Sequence, residues 1–258
     1  MKNKISIIKI GGNIINDESM LDSFLADFTK IDDPKILIHG GGKIANQLNE
    51  KLGIKTIMNE GRRITSSENL DTVTMVYAGL INKKIVSKLQ SNNCNALGLS
   101  GADANCILAT KRPTSPIDFG LVGDVETINS NTIDLFLQAS ITPVFCAISH
   151  DGNGQLLNTN ADTVATEIAI ALSDLYDTEL IYCFEKNGVL EDVSDENSII
   201  KNINSEKYVE LKKNKTINEG MLPKIENCFH ALSNNVNKVI IGHPSVLDGN
   251  ENCTTLSL

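Results

Sequence analysis

The chain has 258 residues, a hydrophobic content of 41% and a net charge of −9, values typical of an ordinary globular protein. A chain of this length can bury a sizeable core, as one α/β domain or two close-packed lobes. The acidic balance argues against a nucleic-acid or anionic-membrane partner, because both are negatively charged and bind positively charged protein surfaces. The chain begins directly with a strand, without a signal peptide or membrane-spanning run, so we expect a cytoplasmic protein.

The cysteine pattern predicts reduced core residues. No Cys-x-x-Cys pair and no nearby histidine pairing suggests a zinc site, and the spacing does not resemble a disulfide framework. Several of the thiols lie inside apolar runs, as buried cysteines usually do. The six positions are Cys94, Cys106, Cys146, Cys183, Cys228 and Cys253.

The first predicted element is a strand with a lysine inside it. Residues 5–10 form an almost wholly apolar, β-branched run that ends at Gly11 and Gly12, and Lys9 lies within that run. A buried ammonium needs an anion, supplied by the protein or by a ligand. Alternatively, the lysine reaches water from an edge strand. Both interpretations stay open at this point, although glycine loops with exposed N–H groups favour phosphate.

The next elements repeat the same order of strand, glycine loop and helix. We predict a helix over residues 20–28, a strand over 35–39 that enters Gly40-Gly41-Gly42, and a helix over 44–52 that stops at Gly53. A longer helix is predicted over 70–81, preceded by Gly61-Arg62-Arg63. Two glycine loops, each after a strand, predict neighbouring loops at one edge of a sheet.

The second half of the chain continues to alternate. We predict strands over 95–99, 105–109, 141–148, 180–184 and 236–241, a hairpin over 118–127, and helices beginning near Asn158 and Pro223. The polar segment 192–218 is the best candidate for a mobile lid or excursion. This alternation predicts an α/β fold with a mostly parallel sheet covered on both faces.

The two glycine loops are expected to meet at the carboxyl-end edge of the sheet, where such folds bind ligands. Neither loop is a known nucleotide fingerprint. Gly11-Gly12-Asn13 lacks the third glycine of a dinucleotide loop, and Gly40-Gly41-Gly42-Lys43 is followed by Ile44 rather than Ser or Thr. Together with the lysine in the first strand, they indicate phosphate binding.

Polar residues at two predicted helix starts support that hypothesis. A helix N-cap needs one short polar side chain, yet Asn158, Asn160 and Asp162 stand together. Lys224 follows Pro223, and a cation near a helix N-terminus is unfavourable unless an anion binds there. Lys9 and Lys224 on one phosphoryl group, with Asp162 between them, would account for all three residues.

Two further interpretations concern Arg63 and a possible esterase motif. Arg63 could hold a carboxylate by a two-toothed contact, although an exposed arginine is the commoner outcome. Residues 39–42 and 98–102 also resemble the oxyanion loop and nucleophile elbow of esterases, with Ser100 as nucleophile. Ala102 replaces the final glycine of that elbow, and nothing supports His230 or His243 as the base. We therefore disfavour an esterase.

The ordered set of motifs resembles the N-acetylglutamate kinase family, within the amino acid kinase superfamily. The resemblance runs from about residue 5 to 241 and implies an open αβα sandwich. It implies an N-terminal lobe, residues 1–176, for acyl-glutamate binding and dimerisation, and a C-terminal lobe, residues 177–258, for ATP. The motifs are Ile8-Lys9-Ile10-Gly11-Gly12, His39-Gly40-Gly41-Gly42, Gly61-Arg62-Arg63-Ile64-Thr65, Ile81-Asn82-Lys83, Leu99-Ser100-Gly101-Ala102-Asp103, Asn158-x-Asn160-Ala161-Asp162 and Gly220-Met221-x-x-Lys224.

The resemblance also implies the reaction: transfer of the γ-phosphoryl of MgATP to the side-chain carboxylate of N-acetyl-L-glutamate, or another N-acyl-L-glutamate such as N-succinyl, in arginine biosynthesis. Mg²⁺ would be held mainly by the nucleotide phosphates and water. A carboxylate nucleophile is already ionised, so no general base is required. The implied roles are catalytic for Lys9, Asp162 and Lys224, substrate-binding for Gly41, Gly42, Arg63, Asn158 and Asn160, and nucleotide-binding for Gly11, Gly12 and Glu185.

The sequence departs from the family pattern at three places. The nucleotide-side motif becomes Glu185-Lys186-Asn187-Gly188, residues 242–244 replace the usual Asp-Gly-Arg, and residues 145–147 replace the usual Ile-Ala-Pro. These changes concern the adenine and ribose contacts and the acyl group. The N-terminal helix of arginine-inhibited hexamers is absent, which favours an uninhibited homodimer. The alternatives are a non-catalytic arginine-sensing domain and a carbamate, aspartate or uridylate kinase.

Overall fold

The computed structural model describes residues 2–192, 194–214, 216–217 and 221–258. A π-helix, Met75–Ile81, joins two α-helices into one continuous run, so the helix predicted over 70–81 is part of a longer one. Short 3₁₀ helices cover Asp103–Asn105 and Pro244–Asp248. The α-helices of the described residues are α1 (Gly12–Asn16), α2 (Glu18–Thr29), α3 (Gly42–Leu52), α4 (Ser67–Thr74), α5 (Asn82–Ser91), α6 (Ser130–Gln138), α7 (Ala161–Leu172), α8 (Ser205–Lys213) and α9 (Leu222–Ser233).

The strands alternate with these helices as the sequence predicts. They are β1 (Lys4–Ile10), β2 (Lys35–His39), β3 (Ile57–Asn59), β4 (Arg62–Ile64), β5 (Ala96–Leu99), β6 (Ile107–Lys111), β7 (Gly123–Ile128), β8 (Thr142–Cys146), β9 (Ile148–His150), β10 (Leu156–Asn158), β11 (Asp177–Cys183), β12 (Asn202–Ile203), β13 (Lys238–Gly242) and β14 (Thr254–Leu256).

Among the described residues, one eight-stranded sheet organises the fold, in the order β12-β14-β13-β11-β1-β2-β8-β5. Strands β13, β11, β1, β2, β8 and β5 run parallel, and β14 is antiparallel to β13. Alternate residues of β1 enter two different cores: Ile5 and Ile7 pack on the side of α7 and α9, whereas Ile8 and Ile10 pack on the side of α2 and α5. The predicted open αβα sandwich is confirmed.

A second sheet and a hairpin lie beside the main sheet. The four-stranded sheet has the order β10-β9-β6-β7, and β3 pairs with β4. The hairpin predicted over 118–127 is wrong, because β7 pairs antiparallel with β6 instead. Gly120, with φ of +70°, lies against Thr65, whose carbonyl oxygen would be 2.3 Å from an added Cβ. Gly120 therefore allows a close backbone approach rather than a turn between two strands.

Two other predicted segments differ in detail. The strand predicted over 141–148 ends at Cys146, and the chain passes through Ala147 into β9 of the smaller sheet. Within the described part of the segment 192–218, β12 pairs with β14 and Ile203 is fully buried. That segment therefore extends the edge of the main sheet and contributes to its core.

The six cysteines are buried and unpaired, as predicted. The proposed boundary between residues 176 and 177 falls between α7 and β11, and β11 pairs with β1 along its whole length. The two predicted lobes therefore share one sheet. Within the described residues, no helix has the length and apolar character needed to cross a membrane.

Candidate active site

A cavity of about 280 Å³ opens where β1 and β2 end and α7 begins. This is the carboxyl-end edge of a parallel sheet, the position expected for a ligand. Its volume is close to that of a pocket for a small ligand. Its wall includes most of the predicted site residues: Lys9, Gly12, Gly41, Gly42, Arg63, Asn158, Asn160 and Asp162.

Three charged residues form the centre of the site. Lys9 is the penultimate residue of β1, and its Nζ lies 2.7 Å from Oδ1 of Asp162 in the first turn of α7. Lys224, near the start of α9, places its Nζ 2.8 Å from Oδ2 of the same carboxylate. The side chains of Lys9, Asp162 and Lys224 are 13%, 19% and 14% exposed. One carboxylate thus holds two ammonium groups, which leaves one positive charge in excess.

Burial and neighbouring charge act in opposite directions on these groups. Burial alone would raise the pKa of Asp162, but Lys224 and Lys9 outweigh it and hold that pKa well below its usual range. Burial lowers the pKa of Lys9, and Lys224 adds to this effect, whereas Asp162 opposes it. Asp162 is therefore ionised at neutral pH, and the protonated Lys9 is held at a cost that a bound anion would relieve.

The Tyr182 ring packs against the ammonium group of Lys224. Lys224 Nζ lies 4.7 Å from the centre of the Tyr182 ring, within the range of a cation–π contact. The Tyr182 hydroxyl lies 2.6 Å from Oγ1 of Thr166 and donates to the carbonyl oxygen of Asp162 at 3.2 Å. Because Lys9 and Tyr182 occupy paired positions on the parallel strands β1 and β11, their side chains leave the same face of the sheet.

Residues of both glycine loops line the same cavity as Lys9 and Asp162. Gly41 has φ of +154°, and a Cβ there would be 2.2 Å from the Ile81 side chain. Only glycine fits that position. Gly11 differs from the prediction, because its N–H already donates to Cys183 at 2.9 Å. Gly11 therefore ends the strand, while Gly12, Gly41 and Gly42 face the cavity.

The three polar residues at the start of α7 have three different contacts. Asn160 is the N-cap, and its side-chain oxygen accepts from the N–H groups of Asp162 and Thr163. Asn158 donates to Oγ1 of Thr65 at 3.0 Å. Asp162 binds the two lysines. The cluster is therefore both a cap and part of the cavity wall, as three polar residues at one helix start suggested.

Arg63 is buried, with only 7% exposure, rather than the exposed arginine that is the commoner outcome. Its Nη2 donates to the Gly42 carbonyl at 3.1 Å, and its Nη1 lies 3.5 Å from Thr56 Oγ1. Burial raises the pKa of Tyr77 beside it, and the Arg63 guanidinium opposes that rise. A buried guanidinium whose hydrogen-bond partners are a carbonyl and a hydroxyl is suited to bind a carboxylate of a ligand.

One predicted site residue lies away from the cavity, and one motif residue is not described. Glu185 is exposed beyond the end of β11 and borders a separate small recess with Lys186 and Asn187. Gly220, which belongs to one motif, lies outside the described residues.

The esterase hypothesis does not fit the structure. Ser100 and Asp103 form a turn in which Asp103 accepts from both the backbone N–H and the hydroxyl of Ser100. A 3₁₀ helix follows, rather than the long helix of a nucleophile elbow. His230 contacts Glu167, and His243 contacts Ser245.

Three residues in or beside the site have no role predicted from the sequence: Tyr77 and Arg112 line the cavity, and Tyr182 packs against Lys224. Tyr77 and Tyr182 lie within the predicted helix 70–81 and the predicted strand 180–184, whereas Arg112 lies in no predicted element. Arg112 pairs with Asp124 through its Nε at 3.0 Å and lies over the Phe119 ring. For Tyr182 the sequence did contain a signal, namely a hydroxyl within the otherwise apolar run 180–184. A buried tyrosine hydroxyl usually has a hydrogen-bond partner.

The sequence profile of the amino acid kinase family matches residues 4–243, so the chain belongs to that family. Among similar proteins, the acetylglutamate kinase of Cytophaga hutchinsonii is 53% identical, over 92% of this chain and 90% of that protein. The acetylglutamate kinase of Phocaeicola vulgatus is 48% identical, over 96% of both.

Solved structures agree with the fold. The chain is similar to smu.665 from Streptococcus mutans, with a TM-score of 0.80, 29% identity, and coverage of 94% of this chain and 95% of that one. It is also similar to carbamate kinase from Giardia lamblia bound to AMP-PNP, with a TM-score of 0.72, 14% identity, and coverage of 99% and 98%. At that identity the second comparison supports the fold alone.

Proposed function

We propose that the protein transfers the γ-phosphoryl group of MgATP to the side-chain carboxylate of an N-acyl-L-glutamate, N-acetyl-L-glutamate in the first instance, as a step of arginine biosynthesis. The observation that carries this proposal is the pair of buried ammonium groups on one carboxylate, beside two glycine loops. The acetylglutamate kinases named above support the choice of substrate.

The charged cluster fits a transferring phosphoryl group. Lys9 and Lys224 reach one point from two elements, and Asp162 fixes both without cancelling their charge. As bonds to the phosphoryl group loosen, negative charge spreads over its oxygens, and preorganised cations stabilise that charge. Gly12, Gly41 and Gly42 add backbone N–H groups without side chains to block close approach.

The acceptor side of the site needs no general base. A glutamate side chain is ionised at neutral pH, so alignment and charge neutralisation carry the reaction. Arg63 is assigned to the α-carboxylate of the substrate, and Asn158 and Asn160 to its amide. This division agrees with a cavity wall in which the described residues include cations and amides but no histidine.

The residues present fit the phosphates of MgATP, because a net positive cluster and glycine loops suit polyphosphate. Residues 177–258 are assigned to the nucleotide and residues 1–176 to the acyl-glutamate. Glu185 follows the end of β11, so it is assigned to the ribose side. Mg²⁺, held mainly by phosphate oxygens and water, supplies further charge neutralisation when it is bound.

The proposal is tested with purified protein, MgATP and either N-acetyl- or N-succinyl-L-glutamate. Hydroxylamine converts an acyl phosphate into a hydroxamate, so we expect an iron-staining hydroxamate that depends on both substrates. L-Glutamate without an acyl group is the matched control. No hydroxamate with either acyl-glutamate would refute the proposed function, and the ratio of the two rates identifies the preferred acyl group.

We also propose a homodimer that works in the cytoplasm, where MgATP is available. Large apolar side chains are exposed near the N-terminal lobe surface, including Leu52, Met58, Met75 and Leu80. Exposed apolar surface of this kind favours association when the side chains are contiguous. Light scattering after gel filtration measures the mass, and a monomer at micromolar concentration would contradict the dimer.

A further inference from the structure

His39 is a buried histidine to which the proposed mechanism gives no role. It is the last residue of β2, is fully buried, and directly precedes the glycine loop Gly40-Gly41-Gly42. Its Nδ1 lies 2.9 Å from the Gly40 carbonyl oxygen, and its Nε2 lies 3.1 Å from Nδ2 of Asn82. Both ring nitrogens therefore have one polar partner.

Asn82 determines which ring nitrogen carries the proton. Its Nδ2 also donates to the Val144 carbonyl at 2.9 Å, and its Oδ1 accepts from Lys83 Nζ at 3.1 Å. A carbonyl requires a donor and an ammonium requires an acceptor, so the amide has one orientation. Asn82 therefore presents an N–H to Nε2 of His39. The ring then accepts at Nε2 and donates from Nδ1.

The surroundings keep this neutral tautomer in place. Burial lowers the pKa of His39 to about 4, so the ring is neutral at physiological pH. Asn82 itself is 1% exposed, and a Cβ at Gly98 would be 1.9 Å from its Oδ1. The glycine at position 98 thus leaves room for the Asn82 amide.

The donated hydrogen bond fixes one peptide plane in the loop. In a planar trans peptide, the carbonyl of Gly40 and the N–H of Gly41 point in opposite directions. With the carbonyl held by His39, the N–H of Gly41 points away from the interior. Within the described part of the chain, that N–H has no protein acceptor, and Gly41 belongs to the cavity wall.

A peptide between two glycines needs such a restraint. Glycine tolerates conformations of either sign of φ, so rotation of the Gly40–Gly41 peptide meets little steric resistance from its own side chains. A rotated peptide would turn a carbonyl, rather than an N–H, towards the anionic ligand. That change would raise the barrier of the step in which negative charge moves.

We propose that His39 is a positioning residue, which holds the Gly40–Gly41 peptide so that the Gly41 N–H stabilises charge on the transferring phosphoryl group and the attacking carboxylate. This inference rests on the proposed phosphoryl transfer. Asn82 acts through His39 by selecting its tautomer. A donor to a developing anion is worth up to about 10²–10³ in kcat, which sets the upper limit of the effect.

Two matched variants separate the two ring nitrogens. In His39→Asn the side-chain amide nitrogen can replace Nδ1, whereas in His39→Gln it reaches the place of Nε2. We expect His39→Asn to keep kcat within about threefold and His39→Gln to lower it by about 10- to 100-fold, with the KM for both substrates little changed. Equal kcat values for the two variants, both folded by circular dichroism, would overturn the inference.

Two spectroscopic measurements do not depend on turnover. A long-range ¹H–¹⁵N spectrum of the wild-type protein should show the Nδ1–H tautomer of His39, and the Nε2–H tautomer would overturn the inference even if both variants fail to fold. With ¹⁵N-glycine labelling, the Gly41 amide resonance should move in His39→Gln but not in His39→Asn. If the wild-type protein makes no hydroxamate while these spectra appear as expected, the proposed function fails and the peptide restraint remains.

Discussion

Lys9 lies 2.7 Å from Asp162, yet the net effect of its surroundings is to lower the pKa of the lysine rather than raise it. Burial is the largest cause, and the second ammonium adds to it. The ion pair therefore does not fully offset the desolvation of the charge. A site with an under-compensated cation favours an anionic ligand, because the ligand supplies the missing counter-charge.

The first prediction compares two substitutions in this ion pair. Asp162→Asn leaves two buried ammonium groups without a carboxylate and should lower the free energy of unfolding by about 3–5 kcal/mol. Lys9→Met removes the under-compensated charge and should leave the free energy of unfolding unchanged or raise it, although turnover is lost. Urea unfolding at pH 7 measures both. A Lys9→Met protein as unstable as Asp162→Asn would contradict this account.

The second prediction concerns acid pH. Because the pKa of Asp162 in the folded state is depressed, its stabilising effect is present above the unfolded value of about 4 and is lost as pH falls towards the folded value. The stability difference between wild type and Asp162→Asn should be constant from pH 7 to 5 and should shrink below about pH 4. Urea midpoints across that range test it. A difference that grows on acidification would give the wrong sign.

The sequence was sufficient to predict that Lys9, Asp162 and Lys224 lie together. A lysine inside an apolar strand needs an anion, and three short polar residues at one helix start exceed what a cap uses. Both arguments are local, and they converge on Lys9 and Asp162. The sequence did not predict the burial of Arg63, because that burial depends on contacts with Thr56 and Gly42 that form only in the folded chain.

Other features required tertiary information. Gly120 indicated a hairpin, but its conformation serves a contact with Thr65, more than fifty residues earlier in the chain. Tyr182 appeared as one apolar residue of a strand, and its contact with Lys224 depends on the packing of α9. His39 resembled part of an esterase loop, whereas its role follows from the orientation of Asn82. A turn signal or an apolar run does not specify a distant partner.

The third prediction concerns Tyr182. Tyr182→Phe keeps the ring under Lys224 and should retain kcat within about threefold, since a cation–π contact needs the ring face and not the hydroxyl. Tyr182→Leu removes the ring and should lower kcat by about tenfold, which corresponds to the upper part of the energy of such a contact. Because the leucine also leaves a cavity, both variants are assayed at low temperature, after their folding has been verified. Equal losses in both variants would exclude the ring as the support of Lys224.

The fourth prediction concerns Arg63. Arg63→Lys keeps one positive charge but loses the planar, two-toothed contact with a carboxylate. Its KM for N-acetyl-L-glutamate should rise by about 10- to 100-fold, the range expected for loss of a charge-assisted hydrogen bond, while the KM for ATP stays within about threefold. Arg62→Lys is the matched control, because Arg62 is the exposed neighbour on the same strand at the rim of the cavity, and it should change either KM by less than about threefold, half a decade. Initial rates with each substrate varied in turn measure both constants. If Arg63→Lys changes the KM for ATP and not that for the acyl-glutamate, the guanidinium belongs to the nucleotide side of the cavity.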